Sequence, residues 1–108
     1  MSKIPAQMSA SARRIAEYLE LIDVAQKKHG FAKWYDIFKR ALSAGYTDTI
    51  IAKLKGFGLI REEILDLGNG DKERRYFLTQ RGETLLDLIR RHPDIVALLN
   101  IFSGEKLP

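Results

Sequence analysis

Apolar residues in the first part of the chain recur at helical intervals. Ile15, Tyr18, Leu19, Ile22 and Ala25 follow one another at steps of three and four residues, which puts them on one stripe. The spacing predicts a helix from Ser9 or Ser11 to Lys28, with Ser11 as its N-cap. Lys27, Lys28 and His29 place positive charge at the end where the helix dipole is negative, and Gly30 is a stop. Phe31 and Ala32 leave room only for a very short strand or turn. A second helix is predicted over about Lys33 to Ala41, with Trp34, Ile37, Phe38, Ala41 and Leu42 inward and Lys33, Asp36, Lys39 and Arg40 outward. Ser43 then offers an N-cap to a third helix, Ala44 to Phe57, whose Thr47, Ile50, Ile51 and Leu54 point inward before Gly58 ends it. So short a break joins helices at a steep angle.

After Gly58 the period changes. Leu59 to Leu67 is rich in Ile and Leu, too short for another helix, and bounded by Gly58 and Gly68. Gly68-Asn69-Gly70-Asp71 is a concentrated turn signal, with Asn-Gly the favoured two-residue hairpin connection. Arg74 to Leu78 reads as the partner strand, with Tyr76 and Leu78 on one face. The register stays open, because Arg61-Glu62-Glu63 does not alternate. Thr79 caps a fourth helix over about Gln80 to Arg91, with Leu85, Leu86, Leu88 and Ile89 apolar. Pro93 either starts a new helix or kinks a continuing one. Residues 94–102 carry Ile95, Val96, Leu98, Leu99, Ile101 and Phe102, and Gly104 stops them.

The expected class is therefore mainly α with a small β-hairpin, an α+β chain. Its 108 residues support one domain: an N-terminal arm (1–10) lacking periodicity, a folded unit (11–92) and a C-terminal helix and tail (93–108). With no cysteine, the chain has no disulfide framework, cysteine-ligated zinc, iron–sulfur cluster or thiol nucleophile. No apolar run reaches the roughly 18 residues that span a bilayer, and no signal-peptide pattern opens the chain. A cytoplasmic protein without membrane contact is expected. The net charge of +4, with an isoelectric point near 9.5, mildly favours a polyanionic partner. That charge is uneven: residues 1–58 carry ten Lys/Arg against five Asp/Glu, while the apolar C-terminal end is nearly neutral. Such asymmetry fits one face for an anion and another for protein contacts.

Leu42-Ser43 through Ile50-Ile51-Ala52-Lys53-Leu54 to Gly58-Leu59-Ile60 resembles the core of the winged helix-turn-helix superfamily. Arg75-Tyr76-Phe77-Leu78-Thr79-Gln80-Arg81-Gly82 is similar to the second half of its signature, in which a wing strand leads through Thr-x-x-Gly into a C-terminal helix. Both occur in compact archaeal winged-helix regulators and in the PadR and MarR groups, and the resemblance covers roughly residues 12–92. It implies a double-stranded DNA-binding protein, most naturally a transcriptional regulator associated with the nucleoid. The third helix would enter the major groove, where base edges are distinguishable, and the hairpin would reach the backbone or minor groove. The residues then expected at DNA are Ser43, Ala44, Gly45, Tyr46, Thr47, Thr49 and Lys53 on that helix. Lys72, Arg74 and Arg75 follow on the wing, with Lys33, Lys39, Arg40 and Lys55 as phosphate contacts.

That helix face lacks Arg, Asn and Gln, the strongest bidentate base readers, and carries Asp48, which phosphate repels. Modest intrinsic specificity follows, with affinity gained by dimerisation or by several dimers along DNA. A two-fold dimer would match half-sites about 34 Å apart. Its expected interface is Ile15, Leu19, Leu86, Ile89, Ile95, Leu98, Leu99 and Phe102, although residues 85–102 also suit completion of the core. An architectural or DNA-partition protein that spreads along DNA, or a winged-helix module for a protein partner, is the alternative. Other features have plainer readings. Trp34, Phe38 and Tyr18 have the spacing of core residues, and His29 and His92 lack metal-ligand spacing. Gly68-x-Gly70 lies in a hairpin rather than a phosphate cradle, and Glu62 and Glu63 read as solvated surface. The Lys72–Arg75 cluster is either a salt-bridged hairpin or a DNA-contacting wing. No cofactor, metal or catalytic constellation is expected, so no enzyme.

Overall fold

A computed structural model describes residues 10–92. Four helices pack against a three-stranded antiparallel sheet of order β1-β3-β2 in an α+β arrangement. The helices are α1 (Ala10–His29), α2 (Trp34–Ala41), α3 (Ala44–Gly56) and α4 (Gln80–Arg91). The strands are β1 (Ala32–Lys33), β2 (Ile60–Gly68) and β3 (Asp71–Leu78). The expected arm (1–9) and the C-terminal helix and tail (93–108) lie outside the described residues.

The stripe on α1 forms as its spacing predicts. Ile15, Tyr18, Leu19 and Ile22 are buried, and each such fully buried Ile or Leu contributes roughly 1.5–3 kcal/mol. The helix begins at Ala10, so Ser11 lies inside it instead of capping it. Gly30, at φ +89°, ends it in the left-handed region and donates its N–H to the Gln26 carbonyl. The Gln26 side chain accepts from the Leu78 N–H at 3.0 Å, which fastens the end of α1 to β3. The strand glimpsed at Phe31–Ala32 runs over Ala32–Lys33 and pairs with β3, Ala32 opposite Tyr76.

A left-handed Leu42 (φ 63°) turns the chain from α2 into α3. The period places Leu42 inward, but leaving the helix at that residue swings its side chain out, and it is 78% exposed. Ser43 is the N-cap of α3 as expected, its hydroxyl accepting from the Tyr46 N–H. The hairpin turns at Asn69-Gly70, both with positive φ, as a tight two-residue connection demands. Its register pairs Ile60 with Leu78 and Glu62 with Tyr76, and an irregularity between Asp66 and Gly68 adds a residue near the tip.

Strand β3 hands over to α4 through Thr79. Its hydroxyl accepts from the Gly82 N–H and donates to the Gly58 carbonyl at 2.6 Å, while its N–H reaches the Leu59 carbonyl. Gly82 seats α4 directly on that backbone, for a Cβ there would stand 2.0 Å from the Leu59 carbonyl oxygen. The Thr-x-x-Gly spacing thus has a local cause: one residue caps the helix and the other lets it touch Leu59.

Candidate nucleic-acid interface

The exposed side of α3 is set by what its opposite side must bury. Ile50, Ile51, Leu54 and Thr47 face the core, leaving Ala44, Gly45, Asp48, Thr49, Ala52 and Lys53 outward. Two side chains expected to read bases do not lie there. Thr47 is fully buried, because its hydroxyl donates to the Ser43 carbonyl at 2.7 Å and closes the first turn. Tyr46 shares the stripe of Ile50 and Leu54 at intervals of four, so its ring packs on the core and borders the cleft between α1 and α2. Thr49 is exposed, but its hydroxyl donates to the Gly45 carbonyl. The Ser43 hydroxyl serves as the cap.

The hairpin is tied to α3 by carboxylates. Asp48 accepts from the Trp34 indole N–H at 2.8 Å and stands 3.9 Å from an Arg74 nitrogen, joining α2, α3 and β3. Trp34 stacks on Phe38, with centroids 5.3 Å apart. Sequence reasoning treated Asp48 as a liability to DNA and missed this linking role; a contact between separate elements leaves no mark in helical period. Glu62 is the second tie. It accepts from the buried Tyr76 hydroxyl at 2.7 Å and from Lys55 at 3.1 Å. Partial burial opposes its ionisation, yet these two hydrogen bonds prevail and hold the carboxyl below its ordinary range. Burial, then the Glu62 bond and charge, push the Tyr76 hydroxyl up. The reading of Glu62 as solvated surface is thereby corrected: it lies on the inner face of the sheet, which is why the strand does not alternate.

The expected phosphate contacts separate onto three surfaces. Lys55, Lys72 and Arg74 accompany α3 and the inner side of the hairpin, where Lys72 meets Asp66 at 3.9 Å. Lys33 and Arg75 lie on the outer side of the sheet, both paired with Glu73, and Arg75 covers the Phe31 ring at 4.0 Å. On the same side Arg61 stacks on Phe77. Lys39 and Arg40 line the α1–α2 cleft, paired with Asp36 and Glu17. The more exposed of these pairs, such as Lys72–Asp66, are worth roughly 0–1 kcal/mol, whereas Glu73 is largely covered by its partners.

The expected dimer residues divide as well. Ile15, Leu19, Leu86 and Ile89 are spent on the protomer's own core, each at most 2% exposed, and offer no surface to a second copy. Ile95, Leu98, Leu99 and Phe102 lie outside the described residues. Apolar surface that the sequence did not single out appears instead on the outer hairpin, where Ile64, Leu65 and Leu67 are exposed. A further apolar groove of about 760 Å³ lies between Phe57, Leu59, Leu85 and Leu88. Among the described residues no group of three His, Asp or Glu is placed to hold a metal ion, and no helix is long and apolar enough to cross a membrane. Comparison with protein-family models, with curated proteins and with solved structures finds no match to this chain.

Proposed function

We propose that this chain is a winged helix-turn-helix protein that binds double-stranded DNA as a homodimer, with the sequence preference of a modest transcriptional regulator. Helix α3 would enter the major groove, and residues 68–75 of the hairpin would rest on the backbone or minor groove beside it. One observation carries the reading. A helix with a small-residue outer face (Ala44, Gly45, Ala52) stands beside a hairpin joined to it by the Lys55–Glu62 pair and, more loosely, by Arg74–Asp48. A helix about 10–12 Å across suits a groove about 12 Å wide, and small residues let it approach closely. With the hydroxyls of Ser43, Thr47 and Thr49 bonded to the protein's own backbone, phosphate contacts supply most of the affinity. In a cell such a protein would sit on the nucleoid. The groove at Phe57, Leu85 and Leu88 offers a homodimer the surface that the core residues cannot.

A second reading draws on the outer hairpin. Three exposed aliphatic residues beside balanced charge suit a protein partner better than phosphate, as in a module that contacts protein or an architectural or partition protein that spreads along DNA. A salt titration of duplex binding separates DNA binding, whether by a regulator or by a protein that spreads along DNA, from the module that contacts protein. The DNA reading expects log affinity to fall linearly with log salt, and Lys72→Ala with Arg74→Ala to weaken binding and reduce the slope by about two. Absence of duplex affinity at low salt hands the chain to the protein-contact reading.

A further inference from the structure

Asp48 occupies the middle of the outward face of α3. Ala44 and Ala52 stand one turn before it and one turn after it, at intervals of four, with Gly45 beside them. All four residues are exposed, and the Asp48 side chain is 58% so. A carboxylate on so short a stem reaches only a little beyond its helix, so its neighbours decide what it can touch. Two methyl groups and a glycine let another molecule come down onto it. A Cβ on Gly45 would meet nothing within 4 Å, and its φ is not in the left-handed region. Nothing among the described residues therefore requires that bare position.

The carboxylate is also held in place. Its Oδ1 accepts from the Trp34 indole N–H at 2.8 Å and lies 3.9 Å from Arg74 Nη1. Trp34 is itself steadied by stacking on Phe38. Both contacts fall on the same oxygen, so Oδ2 keeps its lone pairs for a donor from outside. An ionised carboxylate accepts hydrogen bonds and never donates them. In the major groove cytosine presents the N4 amino donor with no acceptor beside it. Adenine sets the N7 acceptor next to its N6 donor, and guanine and thymine present acceptors that a carboxylate repels. Neighbouring hydroxyls are already committed, Thr49 to the Gly45 carbonyl and Ser43 to the helix cap.

We propose that Asp48 reads a base, its Oδ2 accepting from the N4 amino group of a cytosine in the major groove while Trp34 and Arg74 hold Oδ1. Trp34 is then a positioning residue for the reader. In a two-fold dimer one cytosine is read in each half-site. The assignment rests on the DNA reading above and gives its modest preference a source, a single short acceptor on a face of small residues. A carboxylate that merely repelled phosphate would weaken every duplex alike, whatever its sequence.

Selection from DNA duplexes with a randomised central segment, followed by sequencing of the bound fraction, tests the assignment on the full chain, Asp48→Ala and Asp48→Asn. The parent should enrich a motif in which one position favours cytosine by about fivefold or more, the low end of the cost of one mismatched base pair. Asp48→Ala should lose the preference at that position and keep it elsewhere. Asp48→Asn still offers Trp34 an acceptor and adds an amide donor, so its preference should move to adenine, the base that asparagine reads. Because it keeps the indole bond, Asp48→Asn should match the parent in circular dichroism, which separates loss of reading from loss of the fold. A motif identical in all three proteins overturns the assignment. So does a parent preference for any other base at the position that the substitutions alter, a bound fraction that stays random, or a uniform gain in affinity on Asp48→Ala with preferences unchanged. Those outcomes leave DNA binding standing. No binding of the unselected duplexes at low salt removes the DNA reading itself, and the assignment with it.

Discussion

At Ile60 and Leu78 the two strands of the hairpin pair with each other and are buried against the helices. Towards the turn, from Glu63 to Arg74, the same strands carry exposed side chains with only Glu73 partly covered. The root is held by contacts of four kinds: apolar burial, the Gly82–Leu59 approach, the Thr79 cap and the Tyr76–Glu62–Lys55 chain. The outer part is held by ladder hydrogen bonds, weak surface pairs and the Asn69-Gly70 turn. A hairpin standing alone is marginal in water, so the root must fix the direction in which the tip points. Stability and orientation come from the root, while contact with partners is left to the tip.

Gly82→Ala should damage the root most. Its Cβ meets the backbone of Leu59 and not the far end of a flexible side chain, so α4 or β2 has to move. A loss at or above the top of the usual ~1–3 kcal/mol for overpacking is expected in urea unfolding. A loss under about 0.5 kcal/mol, the range of ordinary surface substitutions, would mean that α4 slides freely over Leu59.

Glu62→Gln should act next, and with a pH signature. The carboxyl of Glu62 lies below its ordinary range in the fold, so its stabilisation is complete above the unfolded value, near 4.3, and fades as pH falls through the folded value. The substitution keeps an acceptor for Tyr76 but removes the charge facing Lys55, and about 1 kcal/mol of loss is expected at pH 7. Below the folded value, where the parent carboxyl is itself protonated, parent and variant should unfold at the same urea concentration. A gap of equal size at both pH values would locate the effect in packing and not in charge.

The local parts of this architecture were legible. The α1 stripe, the Ser43 and Thr79 caps, the Asn69-Gly70 turn and the limits of α4 each depend on residues within a few positions of one another. The hidden parts join distant segments. Glu62 broke the alternation of β2 because its partner Tyr76 lies across the ladder, and Asp48 found Trp34 on a different helix. Tyr46 is an instructive case, since its interval to Ile50 and Leu54 places it inward, against the outward position that a base-reading face requires. Leu42 erred the other way, for its place on the α2 stripe gave no sign of a left-handed exit. The expected phosphate contacts scattered because basic residues mark charge, not the side of the molecule that carries it.

The smallest expected effect on stability sharpens the root–tip contrast most. Ile64 and Leu67 are 60% and 55% exposed, so Ile64→Ser with Leu67→Ser removes little burial and should change unfolding free energy by less than about 0.5 kcal/mol. Held by ladder bonds, weak surface pairs and its turn, the tip has no core to lose. If these residues serve contact with other molecules, the double variant should keep its fold and lose self-association on DNA, read as fewer copies per long duplex by light scattering at saturating protein. Unfolding as easy as that of Glu62→Gln would show that the tip packs on something in the native protein. The division of labour between root and tip would then fail, and Ile64 and Leu67 would belong to the scaffold.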